Sequence, residues 1–273
     1  MNNQNGKTTA AVISTILLVL AFGLKVARVV MRSANHRSTR SDTEFVDKIR
    51  AKAYLRTFVD TINYYRCPYA ESFGRVDSFQ YNEGNVLVHI TLDEASANCI
   101  WAIQSNEEKV IESFLTMYSH PRLFQRALLE VLSEAGAGMT LDFKSENNNE
   151  SCLLYVRPYQ VSEAVKDTNV SAMDYILAEN ELLNTRVEGI QKDSHFKEVA
   201  IEGDYRVYHY QCEDYTISYL NSIRNKRKRE ILKSYKDSDG EDFVKEAGLG
   251  IKYVFENDVS GKKCVITIEN DEL

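Results

Sequence analysis

The most constraining feature of this chain of 273 residues is a stretch of sequence that it contains twice. Residues 134–158 align with residues 246–270 without a gap, and both copies carry an Ala-Gly-x-Gly motif followed by alternating apolar and polar residues. Alternation with a period of two residues is typical of strands, and two copies are too few for a solenoid, which needs at least about three. The sequence therefore predicts an α+β fold with two tandem ββααββ units, produced by internal duplication, each with an antiparallel sheet.

The glycines of the two motifs have a structural explanation. Gly136 and Gly248 follow apolar residues at helical spacing, so we expect them to adopt the left-handed conformation that ends a helix. Gly138 and Gly250 then allow a tight entry into the next strand. A phosphate-binding loop has the opposite order, a strand followed by glycines that open a helix. We therefore interpret all four as structural turn glycines and expect no cofactor.

An uncharged apolar stretch near the N-terminus indicates membrane attachment. Residues 8–24 contain no charge, and the apolar pattern continues to residue 31 past two basic side chains that can reach the membrane surface. We expect an uncleaved, single-pass transmembrane helix over residues 8–31. A cleaved signal peptide is the alternative, but only Lys7 precedes the stretch and no clear cleavage motif follows it. Because more basic residues follow the helix than precede it, the positive-inside rule places the large domain in the cytoplasm. An extracytoplasmic location of this domain is the alternative.

Helical and strand patterns predict the organisation of the remaining chain. The spacing from Ser41 to Glu44 is typical of a capping box and starts a helix that ends before Pro68. The predicted parts are a transmembrane anchor with a basic flank, a linking helix, the first α+β repeat, a connecting helix and the second repeat, over residues 1–40, 41–70, 71–160, 161–190 and 191–273 respectively.

Residues with catalytic or metal-binding chemistry do not cluster in the sequence. The five cysteines form no CxxC pair, and we interpret Cys152 and Cys264, which occupy the same place in the two repeats, as buried apolar residues, with a disulfide between them as the lesser alternative. His89 and His209 fall in equivalent strands, one register step apart, without the HxH or HExxH spacing of metal sites. We predict no catalytic residue and no metal.

The sharpest local feature is a basic run in a chain whose net charge is −7. It extends from Arg224 to Lys233, and its candidate contact residues are Arg224, Lys226, Arg227, Lys228 and Arg229. The simpler interpretation is a solvated helix face. The functional interpretation is contact with an anionic partner, above all lipid head groups, because a membrane-anchored chain lies next to them. The negative net charge argues against nucleic acid.

Together these features predict a membrane-anchored binding or scaffold protein, whose partner is another protein or anionic lipid head groups. The alternative is a membrane-tethered, hydrolase-like enzyme with a pocket between the two repeats. A pocket with clustered titratable groups would favour the enzyme, whereas a groove or an unpaired, exposed sheet edge would favour the binding module.

Overall fold

A computed structural model describes residues 40–92, 97–146, 149–188, 196–237 and 243–273. The predicted transmembrane helix and the signal-peptide alternative lie outside these residues. Within the described ranges, no helix has both the length and the apolar character needed to cross a membrane.

The described residues form eight α-helices and nine strands. The helices are α1 (Arg40–Tyr65), α2 (Ala97–Ser105), α3 (Glu107–Tyr118), α4 (Phe124–Ala135), α5 (Pro158–Lys166), α6 (Ala172–Glu188), α7 (Asp214–Asp237) and α8 (Phe243–Glu246). The strands are β1 (Tyr69–Glu71), β2 (Gly74–Asn82), β3 (Asn85–Leu92), β4 (Gly138–Ser145), β5 (Ser151–Val156), β6 (Phe196–Glu202), β7 (Tyr205–Gln211), β8 (Gly250–Glu256) and β9 (Lys263–Ile268). A 3-10 helix, Asn270–Glu272, lies near the C-terminus.

The strands form two sheets with matching topology, which confirms the α+β class. The first sheet has the order β1-β2-β3-β4-β5, and the second has the order β6-β7-β8-β9. Each sheet contains two antiparallel hairpins side by side, β2-β3 with β4-β5 and β6-β7 with β8-β9. The inner strands of the hairpins, β3 with β4 and β7 with β8, pair in parallel. The expectation of purely antiparallel sheets was therefore wrong. The helices between the hairpins return the chain to the end where the previous strand began, so Asn85 lies opposite Gly138 and Tyr205 opposite Gly250.

The four motif glycines serve two different backbone functions. Gly136 follows α4 with φ of 61°, and Gly248 follows α8 with φ of 75°, a left-handed conformation that glycine adopts without strain. Gly138 and Gly250 are constrained by space instead. A Cβ atom at Gly138 would lie 2.7 Å from the Val156 carbonyl oxygen, and one at Gly250 would lie 2.6 Å from the Ile268 carbonyl oxygen. Only glycine lets the two strands approach this closely.

Each sheet is also held by a helix that precedes it. On α1, the Asn63 amide donates to the Phe79 carbonyl at 2.6 Å and accepts from the Phe79 N–H at 2.8 Å. On α6, Asn184 makes the same two bonds with Val199, both at 2.8 Å. Each asparagine thereby satisfies the hydrogen-bonding capacity of one N–H and one carbonyl of β2 or β6, as the backbone of a further strand would. We call α1 to β5 the first unit and α6 to β9 the second unit.

One apolar core extends across both units. It contains the inward residues of the first sheet and also reaches Ile251 and Ile268 of the second. The helix α6 packs against α2, α3, β6 and α8 and therefore joins the units. At this junction the buried Arg206 of β7 forms an ion pair with Glu179, and its Nε donates to Asn180 at 2.8 Å. A buried charge is tolerated when it is paired in this way.

Candidate functional site

The predicted basic run lies on α7, and the helix divides it into two sides. Ile217, Leu220 and Ile231 pack toward the small apolar cluster of the second sheet. Arg224 and Arg227 fall between them at spacings of three and four residues, so they belong to this sheet-facing side. The electrostatic effects agree, since Arg224 lowers the pKa of Cys264 on β9, and Arg227 lowers those of Tyr210 and Tyr253, against larger increases caused by burial.

Lys228 also belongs to the fold. Its Nζ lies 2.7 Å from a carboxylate oxygen of Glu272 in the C-terminal 3-10 helix, and only 29% of its side chain is exposed. Arg227 lies 3.3 Å from Glu230 on the next turn of α7. By helical position, three of the five candidate residues, Arg224, Arg227 and Lys228, therefore lie on the side of α7 toward the second sheet or the C-terminus, and Arg224 and Arg227 are themselves exposed.

The opposite side of α7 presents an exposed stripe of aromatic and basic residues. Tyr215, Tyr219, Lys226, Arg229 and Lys233 are all exposed and fall within one narrow face of the helix, which we call the outward stripe. The Lys226 side chain is 70% exposed, and its Nζ lies 3.9 Å from a carboxylate oxygen of Glu230. Sequence reasoning found Lys226 and Arg229 but missed the two tyrosines, although the helical spacing of the sequence contains this signal.

The helix-facing side of the second sheet is lined by aromatic rings. Phe196, Tyr208, Tyr210, Tyr253 and Phe255 are half-buried, and the rings of Tyr208 and Tyr253 stack at 5.1 Å and those of Tyr210 and Phe255 at 5.0 Å. Burial raises the pKa of Tyr210 to about 12. Tyr210, Tyr253 and Phe255 pack against the apolar cluster that contains Ile217 of α7.

The equivalent positions of the first sheet differ in both size and burial. The register places Val88, Ile90 and Leu141 where the second sheet has Tyr208, Tyr210 and Tyr253, and these aliphatic side chains are at most 1% exposed. The helices α2, α3 and α4 follow the first hairpin, whereas α7 and the four-residue α8 follow the second. The second unit has fewer residues with which to close its core.

The histidines and cysteines lie in separate places. His89 and His209 each follow by four residues the strand residue opposite Gly138 or Gly250, so they occupy the same register position, and the predicted displacement by one step was wrong. His89 Nδ1 lies 2.8 Å from Asp142, and His209 Nε2 lies 2.8 Å from Glu202.

All five cysteines are free thiols, and Cys152 and Cys264 are buried on their own sheets. The alternative of a disulfide between them was therefore wrong. The described part of the chain contains no group of three or more His, Cys, Asp and Glu side chains that could hold a metal ion.

A groove of 540 Å³ lies between α3, α5 and α6, away from the second sheet. Carboxylates dominate its charged lining: Glu108, Glu112, Glu163, Asp167 and Asp174. Three of these have structural partners: Glu163 pairs with Lys166, Asp167 accepts a hydrogen bond from the Asn169 N–H, and Asp174 accepts hydrogen bonds from Ser171. Among the described residues that line the groove, none is a histidine, cysteine, lysine or arginine.

Comparison with known proteins gives little information on function. No protein-family profile and no curated protein sequence matches the chain. Among solved structures, a candidate secreted protein from Pseudomonas aeruginosa aligns with 42% of this chain and 96% of its own length, at 11% identity and a TM-score of 0.32. At that TM-score the likeness supports no conclusion about fold or function.

Proposed function

We propose that this chain is a membrane-anchored binding protein, held by a helix over residues 8–31, whose second unit contacts anionic phospholipid through the outward stripe of α7. The observation that carries the proposal is the composition of this face, which combines two exposed tyrosines with Lys226, Arg229 and Lys233. Tyrosine is enriched at the membrane–water interface, and helices that lie on membranes carry basic residues on their polar face.

The two sides of α7 allow a matched test of this proposal. One variant changes Lys226, Arg229 and Lys233 to Gln on the outward stripe, and the other changes Arg224, Arg227 and Lys228 to Gln on the side toward the sheet and C-terminus. Both remove three positive charges from one helix, so a nonspecific effect of net charge would be equal in the two. A contact through the outward stripe weakens binding mainly in the first variant.

The measurement is co-sedimentation of the chain from Arg40 onward with vesicles of phosphatidylserine and phosphatidylcholine. Each basic residue near such a surface contributes about 1 kcal/mol, so the outward variant is expected to lose up to about 3 kcal/mol, on the order of 100-fold in affinity. Binding should weaken as salt shortens the screening length to about 10 Å at 0.1 M. Circular dichroism tests that each protein is folded.

Equal loss of vesicle binding in the two variants would refute an oriented contact and leave net charge as the explanation of the binding. If the folded wild-type chain does not bind phosphatidylserine-containing vesicles at low salt, the lipid contact is refuted altogether. The membrane anchor has its own test, since the chain with residues 1–31 should stay in the membrane fraction at high salt and the chain without them should not.

A further inference from the structure

The two sheets have four edge strands, and three of them are protected against pairing with another chain. β1 has only three residues and contains Glu71. β6 carries charged residues, and Asn184 occupies the backbone groups of Val199. β9 carries Lys263, whose carbonyl accepts a hydrogen bond from Asn221 of α7 at 3.2 Å. Short length, charge and covered backbone groups are the usual means by which proteins prevent edge-to-edge pairing.

The fourth edge strand, β5, has none of these features. Its sequence, Ser-Cys-Leu-Leu-Tyr-Val, contains no charged residue and no proline. Within the described ranges, no side chain hydrogen-bonds to its backbone, and its only strand neighbour is β4. On the face away from the core, Leu153 is 64% exposed and Tyr155 is 48% exposed. The helix α2, which packs against β5, adds the single tryptophan of the chain, Trp101, at 67% exposure.

The strand is also complementary to itself. If two copies pair antiparallel about a two-fold axis centred on Leu153, the two Leu153 side chains lie opposite each other and Ser151 lies opposite Tyr155. If the axis is centred on Leu154, Leu153 lies opposite Tyr155 instead. Either arrangement joins the exposed apolar side chains of both copies on one face. Antiparallel pairing also brings Glu150, before the strand, near Arg157 of the second copy, after it.

We propose that β5 is a self-association surface at which two copies of this chain join their first sheets into one ten-stranded sheet. A two-fold axis makes such a contact closed, with the same patch used on both copies, so pairing stops at the dimer. Because β5 belongs to the first unit and α7 to the second, this inference does not depend on the proposed lipid contact.

Disulfide cross-linking of the full chain tests the pairing. Opposite residues of an antiparallel pair have Cα atoms about 4.5–5.5 Å apart, within the range of a disulfide. Under a mild oxidant, Leu153→Cys should therefore give a reducible species of twice the 31.2 kDa chain mass. If the axis is centred on Leu154, the same species should form only when Leu153→Cys and Tyr155→Cys chains are expressed together. Either result supports the pairing and gives its register.

Val265→Cys is the matched control, because Val265 is the exposed outward residue of β9 that corresponds to Leu153. It should form no cross-link. As a second measurement, the mass of the detergent-solubilised full chain should fall from dimer to monomer in Leu153→Lys and stay unchanged in Val265→Lys.

Three results would overturn the proposal: equal cross-linking of Leu153→Cys and Val265→Cys, which indicates random collision; no cross-link from the Leu153 and Tyr155 variants in either combination; or a Leu153→Cys adduct with a different protein. The last result would instead identify β5 as an edge for a partner's strand.

Discussion

Glu71 is a carboxylate whose ionisation should weaken the fold near neutral pH. It lies on β1, where Gln125 Nε2 donates to it at 3.1 Å. Burial of the side chain, with a smaller contribution from the nearby Glu179 charge, raises its pKa from 4.5 to about 7. The Oε1 atom of Gln125 is buried without a hydrogen-bond partner in the described structure.

The sign of the effect follows from the direction of the pKa change. Below pH 4.5 the carboxyl is protonated in both the folded and unfolded chain, so the stabilisation from its raised pKa is fully present. As the pH rises toward 7, the unfolded chain releases the proton first, and the folded chain loses this stabilisation. A pKa raised from 4.5 to about 7 corresponds to about 3 kcal/mol. Above pH 7 the loss is complete.

Glu71→Gln replaces the carboxyl with a neutral group of similar shape. Relative to wild type, its free energy of unfolding should be similar near pH 4.5 and higher by up to about 3 kcal/mol at pH 8. The assay is urea unfolding of the chain from Arg40 onward, followed by circular dichroism at several pH values between 4.5 and 8. Glu163→Gln, which neutralises a carboxylate that is 67% exposed, is the control and should change stability little at any pH. A difference between Glu71→Gln and wild type that stays constant from pH 4.5 to 8 would refute the reasoning.

Two further predictions concern the backbone. Gly138→Ala should destabilise the fold by about 1–3 kcal/mol in thermal or urea unfolding, because its Cβ meets the Val156 carbonyl. Gly136→Asn should be nearly neutral, since space is open there and Asn tolerates the left-handed conformation. Equal losses of stability in the two variants would contradict the assignment of the two glycines. Asn63→Ala should lower the free energy of unfolding by about 1–3 kcal/mol, because it leaves two backbone groups of Phe79 without their partner. Asn63→Asp should lower it less, because the carboxylate can still accept the hydrogen bond from the Phe79 N–H. An Asp variant as unstable as the Ala variant would show that this hydrogen bond contributes little.

The sequence predicted the elements that depend on local pattern. Alternation in residues 139–143 and 251–255 identifies strands, and the glycines before them identify the preceding helix ends, since both signals depend on neighbouring residues. The parallel pairing of β3 with β4 could not be obtained this way. It depends on where the intervening helices return the chain, and residues 85 and 138 that meet there are far apart in the sequence.

The contacts of the two helices outside the predicted repeats also depend on residues that are distant in the sequence. Asn63 and Asn184 hold equivalent strands through the same two bonds. A single asparagine near a helix end has no distinctive pattern in a sequence. The two sides of α7, in contrast, could have been separated by helical spacing, because Ile217, Leu220 and Ile231 already mark the side that packs.

The two units expose different surfaces. In the first unit the four helices α1 to α4 close the core, and the unprotected part is the uncharged edge of β5. In the second unit one long helix covers an aromatic sheet, its Asn221 reaches the edge of β9, and its outward stripe carries the aromatic and basic residues. Because α7 extends over 24 residues, whereas α2, α3 and α4 at the corresponding place in the first unit have 9, 12 and 12, it presents a long face to solvent. A shared topology thus leaves a sheet edge available on one unit and a helix face on the other, which is the arrangement expected if the chain pairs through the first and meets the membrane through the second.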